Sequence, residues 1–175
     1  MKTLLTSLSD YNLWANKRII ELIQTSSEDI IDTTIESSFP SVRKTIYHIW
    51  DTQVIWLNRL QGISLNTWPS KEYDDAFAGY DLYFIQQSID FQRFIQTRSD
   101  GYFESTCFYK TLNGKDEQTK NWQIILHCMN HSTYHRGQLI TMLRGLGFSK
   151  LISTDYITYN RENENTLFNY SNPGS

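Results

Sequence analysis

Residues 121–147 read NWQIILHCMNHSTYHRGQLITMLRGLG, a strongly helical stretch that carries three of the four histidines in the chain. His127, His131 and His135 follow one another at four-residue steps. Each step turns an α-helix by about 40° and advances it by about 6 Å, so the imidazoles stack on one side. Histidines at this spacing can chelate a transition metal. The stretch therefore predicts a helix from about residue 120 to about residue 146 that carries a metal site.

The helical angles of these histidines select a pair of ligands. With His131 as zero and about 100° per residue, the apolar Ile124 and Leu139 lie at about 20° and 80°, and His135 lies between them at about 40°. His131 and His135 thus share the core-facing arc, whereas His127 falls at its edge, near −40°. The α-carbons of His127 and His135 lie about 12 Å apart, too far for one tetrahedral ion to bind all three rings. His127 is therefore predicted to be a neighbour of the ligands or a pocket-rim residue.

His48 is the remaining histidine, and it lies in the predicted second helix, SVRKTIYHIWDTQVIWLNRL. The main apolar stripe of this helix lies almost opposite to His48, which shares its own face with Ile55. The helix is therefore apolar on two faces. His48 can look into the protein if the other stripe meets a neighbouring helix or a second subunit, and spacing alone does not decide this. We expect a homodimer that uses an outer apolar stripe of helices one and two. In helix two this stripe consists of Ile46, Ile49, Trp50, Leu57 and Leu60.

The rest of the chain predicts three further long elements and a hairpin. Apolar residues at helical spacing indicate helices over about residues 3–25 and 78–98, and Ser41 is a plausible N-cap for a helix that runs to about Gly62. Between helices three and four, the Asn113-Gly114 dipeptide predicts a short hairpin with a type I′ turn, which needs two positive φ angles. The architecture expected is all-α: a four-helix bundle with a short β-hairpin, in one domain spanning residues 1–175. The segment from Phe148 should pack on the bundle, and the tail from about residue 161 should fray.

Composition and charge exclude several kinds of partner. The chain has 175 residues, 16 basic and 19 acidic side chains and a net charge of −3, which gives no footprint for nucleic acid or an anionic membrane. No apolar run approaches membrane-span length, and the N-terminus lacks a signal-peptide pattern. Cys107 and Cys128 form no spaced framework and are interpreted as small apolar residues. We expect a soluble cytoplasmic protein with reduced thiols.

Three segments together resemble one known family. They are YNLWANKR near the N-terminus, TIYHIWDTQVIWLNRLQG in the second helix, and LHCMNHSTYHRGQLITMLRGLG followed by D-Y-I-x-Y. They are similar to the DinB family of damage-inducible four-helix-bundle proteins, which is unrelated to the DNA polymerase of that name. The resemblance runs over roughly residues 8–159, and HxxxHRGQ with the upstream H-I is its most specific part.

This resemblance implies a fold and a site. It implies a bundle with helix order up-down-down-up, often dimeric, with a divalent metal held by His48, His131 and His135. The wider superfamily includes S-transferases that attach low-molecular-weight thiols to electrophiles, and isomerases that use a thiol cofactor, all metal-dependent. Most members have no assigned substrate, so the resemblance narrows the chemistry without naming the reaction.

Such a ligand set has a definite chemistry. Three neutral imidazoles leave a position open on zinc or nickel, where a bound water or thiol loses its proton near neutral pH. The motif HSTYH lacks the glutamate of HExxH peptidases, which favours thiol transfer over peptide hydrolysis. Asp51, one turn after His48, is a weak catalytic candidate that would orient a ligand or hold a water. Tyr134 and Gln138 are predicted to line the pocket or to bond the far nitrogens of the ligands.

Three classes of function remain open at this point. The first is an enzyme whose open metal position activates a small thiol or water toward an electrophile. The second is a non-catalytic bundle that the metal only stabilises, and the third is a dimeric interaction module. Next to the histidines, Arg136 is expected to form a surface or interhelical salt bridge, and Gly137 to permit close helix packing.

Overall fold

The computed structural model describes residues 1–73 and 79–171, and over these residues the chain is mostly helical with one small antiparallel sheet. Two short 3-10 helices, Glu28–Asp32 and Pro69–Glu72, flank the second long helix in sequence. The elements of this part of the chain are α1 (Lys2–Ile23), α2 (Val42–Leu60), α3 (Tyr80–Gln96), α4 (Asp100–Glu104), β1 (Thr106–Lys110), β2 (Asp116–Lys120), α5 (Asn121–Gly145) and α6 (Tyr156–Ser171).

The ends of α2 follow from local chemistry. Ser41 has extended backbone angles, and its side chain accepts a hydrogen bond from the backbone N–H of Lys44, as expected of an N-cap. At the other end Gly62 adopts a φ of 85°, a conformation that glycine reaches without a steric penalty. These two residues fix where α2 begins and ends, in agreement with the bounds expected from sequence. The expected start of α3 near residue 78 lies outside the described residues.

The hairpin forms where it is predicted, but its turn is different. Lys110 pairs with Asp116, so five residues connect the strands, and Gly114 donates from its backbone N–H to the carbonyl of Thr111 at 2.9 Å. Gly114 has a φ of 83°, whereas Asn113 does not have a positive φ. The predicted type I′ turn is therefore wrong. A longer loop built on an i to i+3 turn needs only one residue in the left-handed region, and Gly114 supplies it.

The core consists of two apolar clusters separated by a polar layer. α1 and α2 each pack against both α3 and α5, and the buried apolar residues fall into two groups along these helices. One group includes Ile19, Ile46, Phe84 and Leu143, and the other includes Leu5, Leu60, Phe91 and Ile125. Between them, each of the four long helices contributes a buried polar side chain. The polar layer consists of Asn12, Asn16, Gln53, Ser88, Ser132 and Arg136.

Hydrogen bonds connect this layer across all four helices. Arg136 donates to the Oδ1 atoms of Asn12 at 2.7 Å and Asn16 at 2.9 Å. Asn16 donates to Ser88 Oγ, Ser88 Oγ donates to Gln53 Oε1, and Gln53 donates to Ser132 Oγ. Arg136 is 1% exposed, and its hydrogen bonds within the described residues go to amide and hydroxyl oxygens. The expected salt bridge of Arg136 is therefore replaced by a buried network of neutral side chains.

The two apolar faces of α2 are both covered by elements of its own chain. One side packs against α3 and α5, while β1 and the two 3-10 helices also contact α2. Trp50, from the outer stripe, is 7% exposed and lies edge-on to Tyr83 and tilted against Tyr73. A second subunit is thus not needed to explain the pattern of α2.

The C-terminal segment packs against α1. Tyr11 donates from its hydroxyl to the carbonyl of Thr154 at 2.7 Å, and Arg18 forms an ion pair with Glu162 at 2.9 Å. α6 continues to Ser171, and residues 172–175 lie outside the described part of the chain. Fraying of the tail from about residue 161 stays a prediction from the sequence. None of the helices within that part has the length and hydropathy of a membrane span.

Candidate metal centre

The structure brings His48, His131 and His135 together where α2 packs against α5. One ligand atom from each ring lies within 4.8 Å of the others, and the Nε2 atoms of His48 and His131 are 3.0 Å apart. Bonds of about 2.0–2.1 Å to a tetrahedral ion place two nitrogens about 3.3 Å apart. The spacing of these two rings is therefore close to that of two ligands on one metal.

The surroundings keep all three rings neutral. Burial and, to a smaller extent, the nearby His135 lower the pKa of His48 to about 4. Burial, followed by the neighbouring histidines, lowers the pKa of His131 to about 3, and burial also lowers the pKa of His135. A neutral imidazole offers one lone pair to a cation, so protons compete weakly for this site near neutral pH.

Gln138 orients one of the rings. His135 donates from Nδ1 to Gln138 Oε1 at 2.7 Å, which leaves its Nε2 as the free ligand atom. Gln138 in turn donates weakly to the hydroxyl of Tyr134 at 3.4 Å, and the Tyr134 ring lies edge-on to His135. Gln138 is the side chain that bonds the far nitrogen of a candidate ligand, while Tyr134 is 65% exposed and borders the site.

His127 and Asp51 lie beside the triad without joining it. The His127 ring packs edge-on against Trp56, 5.5 Å away between centroids, and lies 5.7 Å from His131. Both carboxylate oxygens of Asp51 accept from Ser70, from the backbone N–H at 2.7 Å and the hydroxyl at 2.6 Å. Burial raises the pKa of Asp51 and these hydrogen bonds oppose the shift. Asp51 therefore fastens the 3-10 helix Pro69–Glu72 to α2.

Two aromatic residues at the site are not identified by the sequence analysis. Phe39 stacks on His48 with centroids 4.3 Å apart and meets His135 edge-on at 5.6 Å. Trp68 lies 6.1 Å from His48 on another side. Phe39 lies in an irregular segment before α2, and Trp68 lies in one before the 3-10 helix Pro69–Glu72. In such segments no helical or strand periodicity predicts the direction of a side chain. Their only sequence signal is their position just before Ser41 and Pro69 respectively.

Two cavities flank the triad. One, of about 390 Å³, is lined by His48 together with Phe39, Trp68 and two lysines. A larger one, of about 680 Å³, lies along α5 beyond Tyr134 and Gln138, and none of the three histidines lines it. Of these two cavities, the smaller one reaches a candidate ligand. Gly137 lines the larger one, and a β-carbon there would meet no atom within 4 Å, so close helix packing does not explain this glycine.

The residues present fit a divalent transition metal. Three neutral imidazole nitrogens from two helices converge, and one ring is oriented through its far nitrogen. Within the described residues, no cysteine or carboxylate joins this group, since Cys107 and Cys128 are buried elsewhere. The arrangement defines a mostly helical protein in which three histidines from two helices could hold a divalent cation.

Comparison with known proteins identifies the family of this chain. The family model described as "DinB family" matches residues 1–167. The chain is also similar to "Protein DinB" of Bacillus subtilis (strain 168), with 26% identity; the match covers 87% of this chain and 91% of that protein. The chain belongs to the DinB family, and the resemblance found in the sequence is confirmed.

Proposed function

We propose that this protein is a metal-dependent enzyme that activates a small thiol or water through a divalent ion, zinc or nickel, held by His48, His131 and His135. The observation that carries the proposal is the convergence of three neutral imidazoles beside an accessible cavity. With three protein ligands, a metal that prefers four keeps one position for an exogenous ligand. S-transfer from a small thiol to an electrophile is the reaction class that we favour.

The residues around the ion would have separate roles in binding it and in orienting its ligands. When bound, the metal supplies a thiolate or hydroxide at neutral pH by stabilising the anion. His48, His131 and His135 hold it, and Gln138 fixes the plane of the His135 ring. Phe39 stacks on His48 and Trp68 lies beside it, so these rings would limit the access of water to one side of the ion. A thiolate attacking an electrophile needs no carboxylate base, in keeping with the engagement of Asp51 by Ser70.

The fold behind this proposal is a four-helix bundle with the order up-down-down-up, formed by α1, α2, α3 and α5. The two apolar clusters support this order. α1 and α5 meet the Leu5 cluster before the Ile19 cluster, whereas α2 and α3 meet them in the reverse order. The two helices that carry the candidate ligands, α2 and α5, are therefore antiparallel to each other. Their neighbouring faces supply the three rings.

The alternative is a bundle in which the metal is only structural, or an interaction module. A structural site is expected to be closed by a fourth protein ligand, and none is present among the described residues. We therefore prefer an enzyme. The homodimer, the cytoplasmic location, and the absence of nucleic-acid and membrane partners stay predictions from the sequence.

Metal binding to tag-free protein tests the proposal. We expect about one zinc or nickel per chain, measured by elemental analysis and calorimetry. His131→Ala, His135→Ala and His48→Ala should each reduce affinity by at least 100-fold, because two imidazoles chelate far less tightly than three. His127→Ala is the matched control on the same helix and should change affinity less than threefold. Unchanged metal binding by a His131→Ala, His135→Ala double variant would exclude the site.

A further inference from the structure

We propose that the cavity of about 680 Å³ along α5 is a binding site for an uncharged, largely apolar small molecule. The cavity lies between α5 and residues 33–37, a segment that follows the 3-10 helix Glu28–Asp32 and precedes α2. The inference goes beyond the proposed metal chemistry, because none of the three candidate ligands lines this cavity and its occupant need not bind a metal.

One wall of the cavity is a face of α5 that carries two glycines. A β-carbon added at Gly137 or Gly145 would meet no atom within 4 Å, so packing against the rest of the described chain does not require a glycine at either position. Glycine is also a poorer helix former than residues with a side chain. The missing side chains instead leave open space beside the helix. The residues of this wall are Tyr134, Gly137, Gln138, Thr141 and Gly145.

The opposite wall is fastened to the fold. At its start, both carboxylate oxygens of Asp32 accept hydrogen bonds from the guanidinium of Arg43 in α2, at 2.7 and 2.9 Å. Further along, the backbone N–H of Ile35 donates to the carbonyl of Pro40 at 2.9 Å. These contacts hold the segment away from α5 without a ligand, so the cavity is already formed, as is usual for small-molecule sites.

The polar groups of the cavity favour an uncharged ligand. Glu36 is the one charged residue among those that line it, and no basic side chain in the described residues joins it there. An anion would therefore enter beside a carboxylate and find no counter-charge. The hydroxyls of Thr33, Thr34 and Ser37 make no hydrogen bond within the described part of the chain, so they are available to a neutral ligand.

The apolar part of the lining sets the body of the ligand. Ile35, Met142 and Leu146 contribute apolar surface, and Met142 is 4% exposed, so the cavity reaches down to the core. A volume of about 680 Å³ lies within the range of cavities that enclose small molecules. A molecule with an apolar body and one or two uncharged hydrogen-bonding groups matches this lining.

The position of the cavity places its occupant next to the candidate metal centre. Gln138 lines the cavity and also accepts a hydrogen bond from His135 Nδ1 at 2.7 Å. Tyr134 lines it too, and its ring lies edge-on to His135. A bound molecule therefore contacts the two side chains that separate the cavity from this ring.

Two dyes that differ by one charge provide the test. N-phenyl-1-naphthylamine is neutral, whereas 8-anilino-1-naphthalenesulfonate carries a sulfonate on the same ring system, and both fluoresce more strongly in apolar surroundings. Each is titrated into the full-length protein as purified. We expect the neutral dye to bind at one site per chain and at least tenfold more tightly than the sulfonate, because the cavity offers no counter-charge.

Leucine substitutions locate the bound dye. Gly137→Leu and Gly145→Leu put a side chain into the open space of the cavity, and each should weaken binding of the neutral dye at least tenfold. Gly101→Leu makes the same change in α4, where a β-carbon also meets no atom within 4 Å, and should bind as wild type. Leucine is a better helix former than glycine, so all three variants should unfold cooperatively, which excludes a folding defect.

Several results would overturn the inference. Wild-type affinity in either cavity variant, or an equal loss in Gly101→Leu, would show that the dye binds elsewhere. Equal affinities for the two dyes would remove the preference for an uncharged ligand, and no binding of either dye would remove the site itself. Neither dye carries a thiol, and zinc binding is measured separately, so each of these failures leaves the proposed metal-dependent function standing.

Discussion

At the scale of single residues, Gln138 ties the orientation of one ligand ring to the helix that carries it. Its Oε1 accepts from His135 Nδ1 at 2.7 Å across one turn of α5. This hydrogen bond selects the tautomer with a free Nε2 and limits rotation of the ring. The geometry of the site therefore depends on a side chain that touches no metal.

We expect Gln138→Leu to weaken zinc binding by about 10- to 100-fold, the usual cost of losing a partner that orients a metal ligand. Gln138→Glu keeps an acceptor at the same place and should retain affinity within a few-fold of wild type. Competition with a chromophoric chelator measures both. Equal affinities of the Leu and Glu variants would show that the hydrogen bond does not position His135.

Residues of the site were predictable from sequence where a helix fixes their direction. His131 and His135 share an arc of α5, and the angular argument separates them from His127, which the structure places against Trp56. Phe39 and Trp68 were not predictable, because their directions depend on how irregular segments return to α2. The position of Asp51 on α2 was predictable from the sequence. Its hydrogen-bond partner was not, because Ser70 lies 19 residues further along the chain, beyond a loop.

At the scale of elements, Arg136 joins α5 to α1 through the polar layer. Its guanidinium donates to Asn12 and Asn16 and also lies over the ring of Tyr11, 5.2 Å from the centroid. Apolar contacts alone do little to fix the position of one helix along another. Directional hydrogen bonds fix this position, because their donors and acceptors must be aligned. The layer therefore sets the register of α5, and with it the height of His131 and His135 relative to His48.

Arg136→Met should lower the free energy of unfolding by about 3 kcal/mol, because the variant leaves the oxygens of Asn12 and Asn16 buried without a donor. Denaturant unfolding of the metal-free protein measures this loss. Arg144→Met removes an exposed arginine from the same helix and should change stability by less than about 0.5 kcal/mol. Similar losses in the two variants would contradict the role assigned to the layer.

The elements divide into those that sequence predicts and those that it does not. The four long helices and the hairpin carry clear periodicity or turn residues, and their bounds agree within a few residues. The short α4 and the C-terminal α6 do not, since α4 spans five residues and α6 draws support from contacts with α1. The sequence of α2 was open to two interpretations because burial by loops and burial by a subunit give the same pattern.

At the scale of the whole molecule, the apolar clusters and the metal site occupy different places. The clusters fill the space among α1, α2, α3 and α5, while the triad lies at the seam between α2 and α5. A chain of this length buries roughly two thirds of its surface on folding, enough for a stable core without an ion. On the proposed function, the fold is therefore expected not to depend on the ion.

We therefore expect removal of the metal to leave the protein folded. Burial keeps the three rings neutral, and none of them belongs to the two apolar clusters that hold the four long helices together. Far-ultraviolet circular dichroism and cooperative unfolding should persist. Stability should fall only by the linkage contribution, about 2.7 kcal/mol at a free metal concentration 100 times the dissociation constant.

Thermal unfolding of chelator-treated protein, with and without added zinc, measures this contribution. A variant without the site, His131→Ala with His135→Ala, should unfold at a temperature that zinc does not change. If the metal-free wild type has instead lost its helicity, the ion holds α2 and α5 together and the structural function is correct. Retained helicity, together with a cobalt spectrum that responds to added thiol, identifies a folded scaffold whose metal keeps a position for an exogenous ligand.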